Sequence, residues 1–422
     1  MAVAVATFLI ALALIASERI HRTKVALLGA AIVVLFVGEF DQEKAIEAVD
    51  FNTIGLLAGM MILVYLTQQS GVYDYIAIRA GQISRGRPLY VVLTLAGTTA
   101  LLSAFLDNLT TILLVVPITF LLADALDVDP IPLIVIEVIA SNIGGTATLI
   151  GDPPNIIIAG STGLTFNEFI VNLAPIVVVV FAVVVAGLYL FYRPQLQIDE
   201  RNRDLVRDLD ADASIRDADE LRRTVPILVG TIVLFFAHQA LHIEPATVAL
   251  TGAAVALLVT RIPLDQALAK IEWPTLFFFV ALFVMVGALE ETGAIGDVAE
   301  GVKDLTGGDR TAELLGIVWI GGFGSAVVDN IPFTTAMIPV VSELQAGATG
   351  DDAYWWALSL GACFGGNATL IAAAANVAAA GLTERAGRPI GFMQFLRIGV
   401  PVTIASLILA SGYVLVRYIA LS

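Results

Sequence analysis

Apolar stretches of about 16 to 22 residues recur along the whole chain between short polar segments, and each is long enough to cross a hydrocarbon core of about 30 Å as a helix. In lipid the backbone must satisfy its own polar groups, so the pattern predicts helices and not open strands. Ten spans follow, near 3–17, 24–39, 52–70, 131–159, 171–192, 224–240, 246–261, 273–290, 354–380 and 397–418. Two further apolar segments, 89–123 and 312–344, are each long enough for two half-depth helices. Each carries an acid beside an amide near its middle, Asp107-Asn108 and Asp329-Asn330. Both read as re-entrant hairpins that enter and leave the membrane on one side. The predicted fold class is an all-α polytopic membrane protein.

The two halves of the chain repeat one another. Ser103-Ala104-Phe105-Leu106-Asp107-Asn108 returns 222 residues on as Ser325-Ala326-Val327-Val328-Asp329-Asn330, and Asp50-Phe51-Asn52-Thr53 returns as Glu272-Trp273-Pro274-Thr275. Gly144-Gly145-Thr146-Ala147-Thr148-Leu149 aligns with Gly365-Gly366-Asn367-Ala368-Thr369-Leu370, and Asn155 with Asn376. A duplicated hydrophobic chain with polar breaks at matching positions is the pattern of a secondary transporter, and the breaks point to its binding site. Residues 1–192 form the first repeat, 193–223 a cytoplasmic linker and 224–422 the second repeat. Five crossings per repeat is an odd number, so the second repeat enters the membrane upside down. Of the 22 basic residues only Lys44, Lys303, Arg310 and Arg417 fall on one side of this arrangement, which makes the other side cytoplasmic. Both termini then face outside. The hairpin with Asp107 opens from the cytoplasm and the hairpin with Asp329 from outside, so a site between them can be exposed alternately.

Composition agrees and excludes other classes. The chain is 58% hydrophobic and 14% charged with a mean hydropathy of +0.90, outside the range of soluble domains. The expected place is the inner (plasma) membrane, with the first stretch retained as a span because no positive residue precedes it. A net charge of −16 argues against nucleic acid or anionic lipid as partners. None of the four lysines follows a glycine, so there is no Walker A loop, and no nucleophile and base pair suggests an enzyme. The linker reads as a solvated connector, helical around Asp204 to Leu209; a docking surface for a soluble partner is the alternative. His21, His238 and His242 lie near span ends, and the single Cys363 excludes an internal disulfide.

Candidate chemistry lies in the hairpin tips and breaks. Asp107 and Asp329 are ionisable residues at membrane depth, which are expensive there and functional by default. Each also caps the helix that follows, but a serine would cap without a buried charge. Spans four and nine are broken at Asn142, Gly144, Gly145 and Thr146, and at Gly365, Gly366 and Asn367. Paired glycines permit unwound backbone whose carbonyls, with Asn and Thr oxygens, suit a hard cation; small-residue helix packing is the alternative. Gly55 and Gly59 form a GxxxG read as packing only. Gly151-Asp152-Pro153-Pro154-Asn155 has only Ala372-Ala373-Ala374-Ala375-Asn376 opposite, and Glu137 faces Leu358, so Asp152 and Glu137 are asymmetric acids. With Asp107 and Asp329 they are the proton-coupling candidates, Asp152 the stronger of the two because Pro-Pro frees backbone beside it. A sodium ion would sit at Asp107, Asn108, Asp329 and Asn330. No basic residue falls in either apex or break, which argues against an anion site built on Arg or Lys.

These residues resemble the ion transporter superfamily, in the group holding arsenite permeases, NhaD-type sodium/proton antiporters and the P protein, with a citrate-transporter-like domain. Phe105-Leu106-Asp107-Asn108-Leu109-Thr110-Thr111, Ser141-Asn142-Ile143-Gly144-Gly145 through Asn155, and Val328-Asp329-Asn330-Ile331-Pro332-Phe333-Thr334 look most like the P-protein branch. The resemblance implies a homodimer whose mobile transport domain carries the hairpins and broken helices in an elevator motion. It also implies that Asp107, Asn108, Asp329, Asn330, Asn142, Asn155 and, by the repeat, Asn376 line the site. Asp-Asn tips in place of Ser-Asn-Thr argue against citrate or succinate. The expected function is proton- or sodium-coupled antiport of a small cation or inorganic solute, with no cofactor beyond the coupling ion. Arsenite or antimonite efflux, a sodium-coupled carboxylate carrier and a passive channel are the alternatives; coupled flux of two solutes separates a carrier from a channel.

Overall fold

The computed structural model describes residues 1–17, 19–207, 209–346 and 352–420. Every regular element among them is helical. Seven helices are long and apolar enough to cross a membrane: Phe51–Gln68, Pro88–Phe105, Asn108–Leu126, Phe166–Tyr192, Trp273–Glu291, Arg310–Val328 and Phe392–Ala420. Ala2–Ala16, Arg22–Phe36 and Pro245–Val259 are apolar helices of 15 residues, and the span expected at 224–240 already begins at Ala218, in Ala218–Ala237. Helix starts follow local chemistry. Proline occupies the first position of the helices beginning at Pro88, Pro130, Pro153 and Pro245, where its missing N–H costs nothing. Thr165 and Glu168 close a reciprocal capping box ahead of Phe166–Tyr192.

Both apolar segments between spans fold as helix pairs: Pro88–Phe105 with Asn108–Leu126, and Arg310–Val328 with Asn330–Ala346. Their arms hold 17 to 19 residues and not the half-depth length expected, so each reaches about 27 Å. Arms of this length need tilt, or outer ends beyond the hydrocarbon, if their tips are to sit at the depth of the breaks. Two helices of 13 residues, Val72–Ser84 and Ala294–Thr306, precede the hairpins at matching positions and have no counterpart among the expected elements. They mix charged and apolar residues and are too short to cross. The linker forms a helix over Glu200–Arg207; Asp208, inside the expected helical segment, lies outside the described residues. The linker bridges the halves: the Arg216 amide donates to Ser70 O at 2.9 Å and Gln82 Nε2 to Leu209 O at 2.5 Å, while Arg223 Nη1 donates to Val259 O at 2.9 Å.

Phe51–Gln68 and Pro245–Val259 pack closely through the GxxxG. A Cβ at Gly59 would come within 2.7 Å of the Ala249 carbonyl carbon and 2.8 Å of the Leu250 amide nitrogen. Backbone cannot yield as a side chain can. Gly59→Leu is expected to cost about 1–3 kcal/mol or more, read as a lowered Tm of the purified protein. Gly230→Leu, with open space around it, should leave Tm unchanged. Equal Tm values for the two variants would refute this helix pairing.

Candidate functional site

The two tips turn differently. In the first, Leu106 and Asp107 are extended and the Thr110 amide donates to Asp107 Oδ1 at 2.8 Å, so the acid caps Asn108–Leu126. In the second, Asp329 alone makes the turn, at φ 92° and ψ 140°, a region that side-chain-bearing residues rarely adopt. Such a conformation costs on the order of 1–3 kcal/mol and persists only where the surroundings impose it. The Ile331 amide donates to Asp329 Oδ1 at 3.0 Å, and Arg22 Nη1 donates to its Oδ2 at 2.8 Å.

Both tip amides converge on one carboxylate of the first broken helix, Pro130–Gly145 with Pro153–Thr162. Asn108 Nδ2 donates to Asp152 Oδ1 at 3.3 Å and Asn330 Nδ2 donates to the same oxygen at 3.0 Å. Asp152 Oδ2 is buried and accepts no hydrogen bond. The acid lies within electrostatic reach of Asp107, Asp329 and the Cys363 thiol. A buried carboxylate oxygen without a donor is costly, so Asp152 Oδ2 is an atom of this cluster open to a further partner.

The second broken helix, Ala353–Gly365 with Ala374–Arg385, interlocks with the first. Asn142 Nδ2 donates to Asn376 Oδ1 at 2.9 Å and to Asn367 Oδ1 at 3.0 Å, while its own Oδ1 accepts from Asn108 Nδ2 at 3.3 Å. Ser359 Oγ and Cys363 Sγ donate to Asn155 Oδ1 at 2.6 and 3.7 Å. In each half the break is stitched alike: Asn155 Nδ2 donates to the carbonyls of Thr146 and Thr148, and Asn376 Nδ2 to those of Gly366 and Thr369. Each break is fastened to its hairpin by a threonine at the matching position, Thr148 donating to Ala104 O and Thr369 to Ala326 O. Asn367 Nδ2 is buried and donates to nothing.

The expected site residues therefore divide. Asp107, Asn108, Asn142, Asp152, Asp329, Asn330, Asn367 and Asn376 are brought together, and Asn155 joins the breaks from behind. Gly144, Gly145 and Gly365 serve close packing, because a Cβ at each would strike the backbone of Ala100, Gly151 and Gly322 at 2.2, 2.6 and 2.4 Å. The Thr146 hydroxyl is spent on Asn142 O at 2.8 Å, and Gly366 enters through its carbonyl. Glu137 does not join the cluster. It sits five residues before Asn142, about 140° around the helix, and meets the Thr119 hydroxyl at 2.6 and 2.8 Å. The four residues of the expected sodium set all lie in this cluster, with Asp329 held by Arg22 and the two asparagines donating to Asp152. Among the described residues no group of three or more His, Cys, Asp or Glu is placed to hold a metal ion.

Two residues escaped the sequence reading. Arg22 reaches the second tip from the first turn of Arg22–Phe36, so a basic residue does stand at an apex; nothing in its local sequence marks it. Glu313, buried in the outer arm of the second hairpin, accepts from Tyr354 Oη at 2.5 Å; an acid in an otherwise apolar arm was the available signal. A cavity of about 470 Å³ opens beside Asp329 and is walled by Ile15, Ile20, His21, Arg22, Leu109, Val328 and Ala378 among others.

Paired hairpin tips closing over a buried carboxylate at two broken helices, in a chain built of lipid-length helices, define a multi-pass membrane transporter. Residues 12–361 match the family model described as Citrate transporter, and the chain belongs to that family. An uncharacterized transporter of Mycobacterium tuberculosis is 44% identical over 425 residues, 99% of each chain. The P protein of Sus scrofa is 34% identical over 97% of this chain and 58% of its own length. The crystal structure of the YdaH transporter of Alcanivorax borkumensis shares the fold, with a TM-score of 0.59 at 17% identity over 87% of this chain and 85% of that one.

Proposed function

We propose that the chain is a secondary active antiporter that exchanges a small cation for protons at the Asp152 carboxylate. The observation that carries this is the unpaired Asp152 Oδ2, flanked by Asp107 and Asp329 and held by one amide from each hairpin. Three acids with one arginine, itself paired, suit a cation far better than a free tricarboxylate. The halves act as inverted repeats: Asn142 meets Asn376 while Cys363, at the position matching Asn142, meets Asn155, which matches Asn376. A reciprocal contact of this kind is what a two-fold relation produces. On this reading the hairpins and broken helices form a transport unit that moves as an elevator in a homodimer, with the termini outside. The amide-rich lining, with Asn367 Nδ2 unpaired, favours export of neutral arsenous acid as the second reading.

The test is transport by purified protein in liposomes with a pH dye inside, screened over sodium, lithium, arsenite and carboxylates. Sodium or lithium should drive proton movement, and apparent cation affinity should weaken about tenfold per unit as pH falls through the range where one proton is displaced. Asp107→Asn and Asp329→Asn should abolish coupled exchange while the protein stays folded, since the amide keeps size and an acceptor. Flat affinity from about pH 6 to 9 together with arsenite flux would replace the cation reading by the second one.

A further inference from the structure

The geometry points to Arg22 as a tethered cation that competes with the transported cation for Asp329 and so sets the affinity of the site. The inference rests on the antiport reading above. Arg22 Nη1 lies 2.8 Å from Asp329 Oδ2, at the mouth of the 470 Å³ cavity, so it occupies one of the two carboxylate oxygens that an entering cation would use. Its guanidinium stacks over the Phe278 ring, 5.1 Å from the centroid, which holds the fork in place and lowers its mobility.

Arg22 and Asp329 stand on different helices, which the elevator reading above assigns to different bodies. Arg22 starts Arg22–Phe36, which is fixed to Trp273–Glu291: Thr23 Oγ1 donates to Pro274 O at 2.8 Å, and Gly29 faces Met285 so closely that a Cβ would touch its sulfur at 2.4 Å. Asp329 sits on the hairpin. A cation that takes Asp329 must therefore release an arginine anchored elsewhere, and a released, half-buried guanidinium without a partner would be costly. Glu272 supplies the second partner. It stands at the N-terminus of the helix that carries Phe278, where its Oε2 accepts from Thr275 Oγ1 at 3.2 Å; it is within electrostatic reach of Arg22 and also feels the negative charge of Asp107. Arg22 thus has two acids to choose between, one on each body, and it moves from Asp329 to Glu272 when a cation binds. An empty hairpin stays neutralised by Arg22, which ties the departure of the hairpin to cation occupancy.

The two acids predict shifts of opposite sign, which a merely structural role for Arg22 does not. The half-saturating sodium concentration is measured in proteoliposomes for wild type, Arg22→Gln, Arg22→Lys and Glu272→Gln. Arg22→Gln removes the competitor and should lower it about tenfold, the scale of a charge-assisted hydrogen bond. Glu272→Gln removes the alternative partner, tightens the grip on Asp329 and should raise it severalfold. Arg22→Lys keeps the charge but loses the planar fork, and should fall between wild type and Arg22→Gln; it also serves if Arg22→Gln fails to fold. Half-saturation unchanged in folded variants, or shifted the same way by Arg22→Gln and Glu272→Gln, overturns the inference. A wild type that moves no cation at all overturns instead the antiport reading on which it rests.

Discussion

Asp152→Asn is expected to reduce proton-coupled cation exchange at least about 100-fold and to leave the fold intact. Asn108 and Asn330 both donate to Asp152 Oδ1, and the oxygen of an asparagine at this position accepts from both as before. Only Oδ2 changes, and it accepts no hydrogen bond of good geometry, the Cys363 thiol being the donor within reach of the carboxylate. The substitution therefore removes the ionisable oxygen without undoing the junction of the two tips. Losing one partner of a buried charge pair costs about 3–5 kcal/mol, which is at least two decades in apparent cation affinity. Proteoliposome exchange measures the effect, and thermal unfolding in detergent checks the fold. Exchange at the wild-type rate in a folded Asp152→Asn protein would move the essential charge to Asp107 or Asp329.

The second large effect concerns stability. Asn142→Leu, similar in size, should destabilise the protein by about 2–6 kcal/mol, because Asn367 Oδ1 and Asn376 Oδ1 are left buried without their donor at about 1–3 kcal/mol each. Asn108 keeps its bond to Asp152 and limits the loss. The matching position of the other half behaves differently. Cys363→Ala removes a weak thiol donor at 3.7 Å from an Asn155 oxygen that Ser359 still serves at 2.6 Å, so the cost should stay below about 1 kcal/mol. Thermal unfolding of the two variants side by side tests the asymmetry. Equal losses would mean that the breaks are held together by helix packing and not by the Asn142 amide.

Much of this arrangement is legible without coordinates. Apolar runs long enough to span lipid, interrupted by Asp-Asn pairs and Gly-Gly steps, have few other solutions, because a polar group at membrane depth must be satisfied by the chain itself. Asp107, Asp152 and Asp329 could be singled out for that reason alone, and the packing role of Gly55 and Gly59 follows from their GxxxG spacing. The extent of both helix pairs is legible to within about three residues, 89–123 and 312–344 against 88–126 and 310–346; an apolar run does not report the depth at which its polar tip sits, and half-depth arms are therefore not legible.

By itself, then, the sequence determined the class of protein, the place of the two helix pairs and of the breaks, and the residues that had to be buried at them, since those follow from local spacing and from the cost of polar groups in lipid. Only the tertiary structure decided which of these groups meet. Asp152 is the shared acceptor because two hairpins from opposite halves pack against the same break. Arg22 reaches Asp329 across 307 positions of chain. Glu137 is turned away by its place on the helix. The second break shows the limit most plainly: Ala373 is extended at φ −149° and ψ 145°, much as Asp152 is at −139° and 135°, although no proline follows it. In the first half Pro153 and Pro154 enforce the break locally. In the second, Gly365 packed against the hairpin backbone and Asn376 bonded to the Gly366 and Thr369 carbonyls hold it open, and such contacts exist only once the helices have assembled.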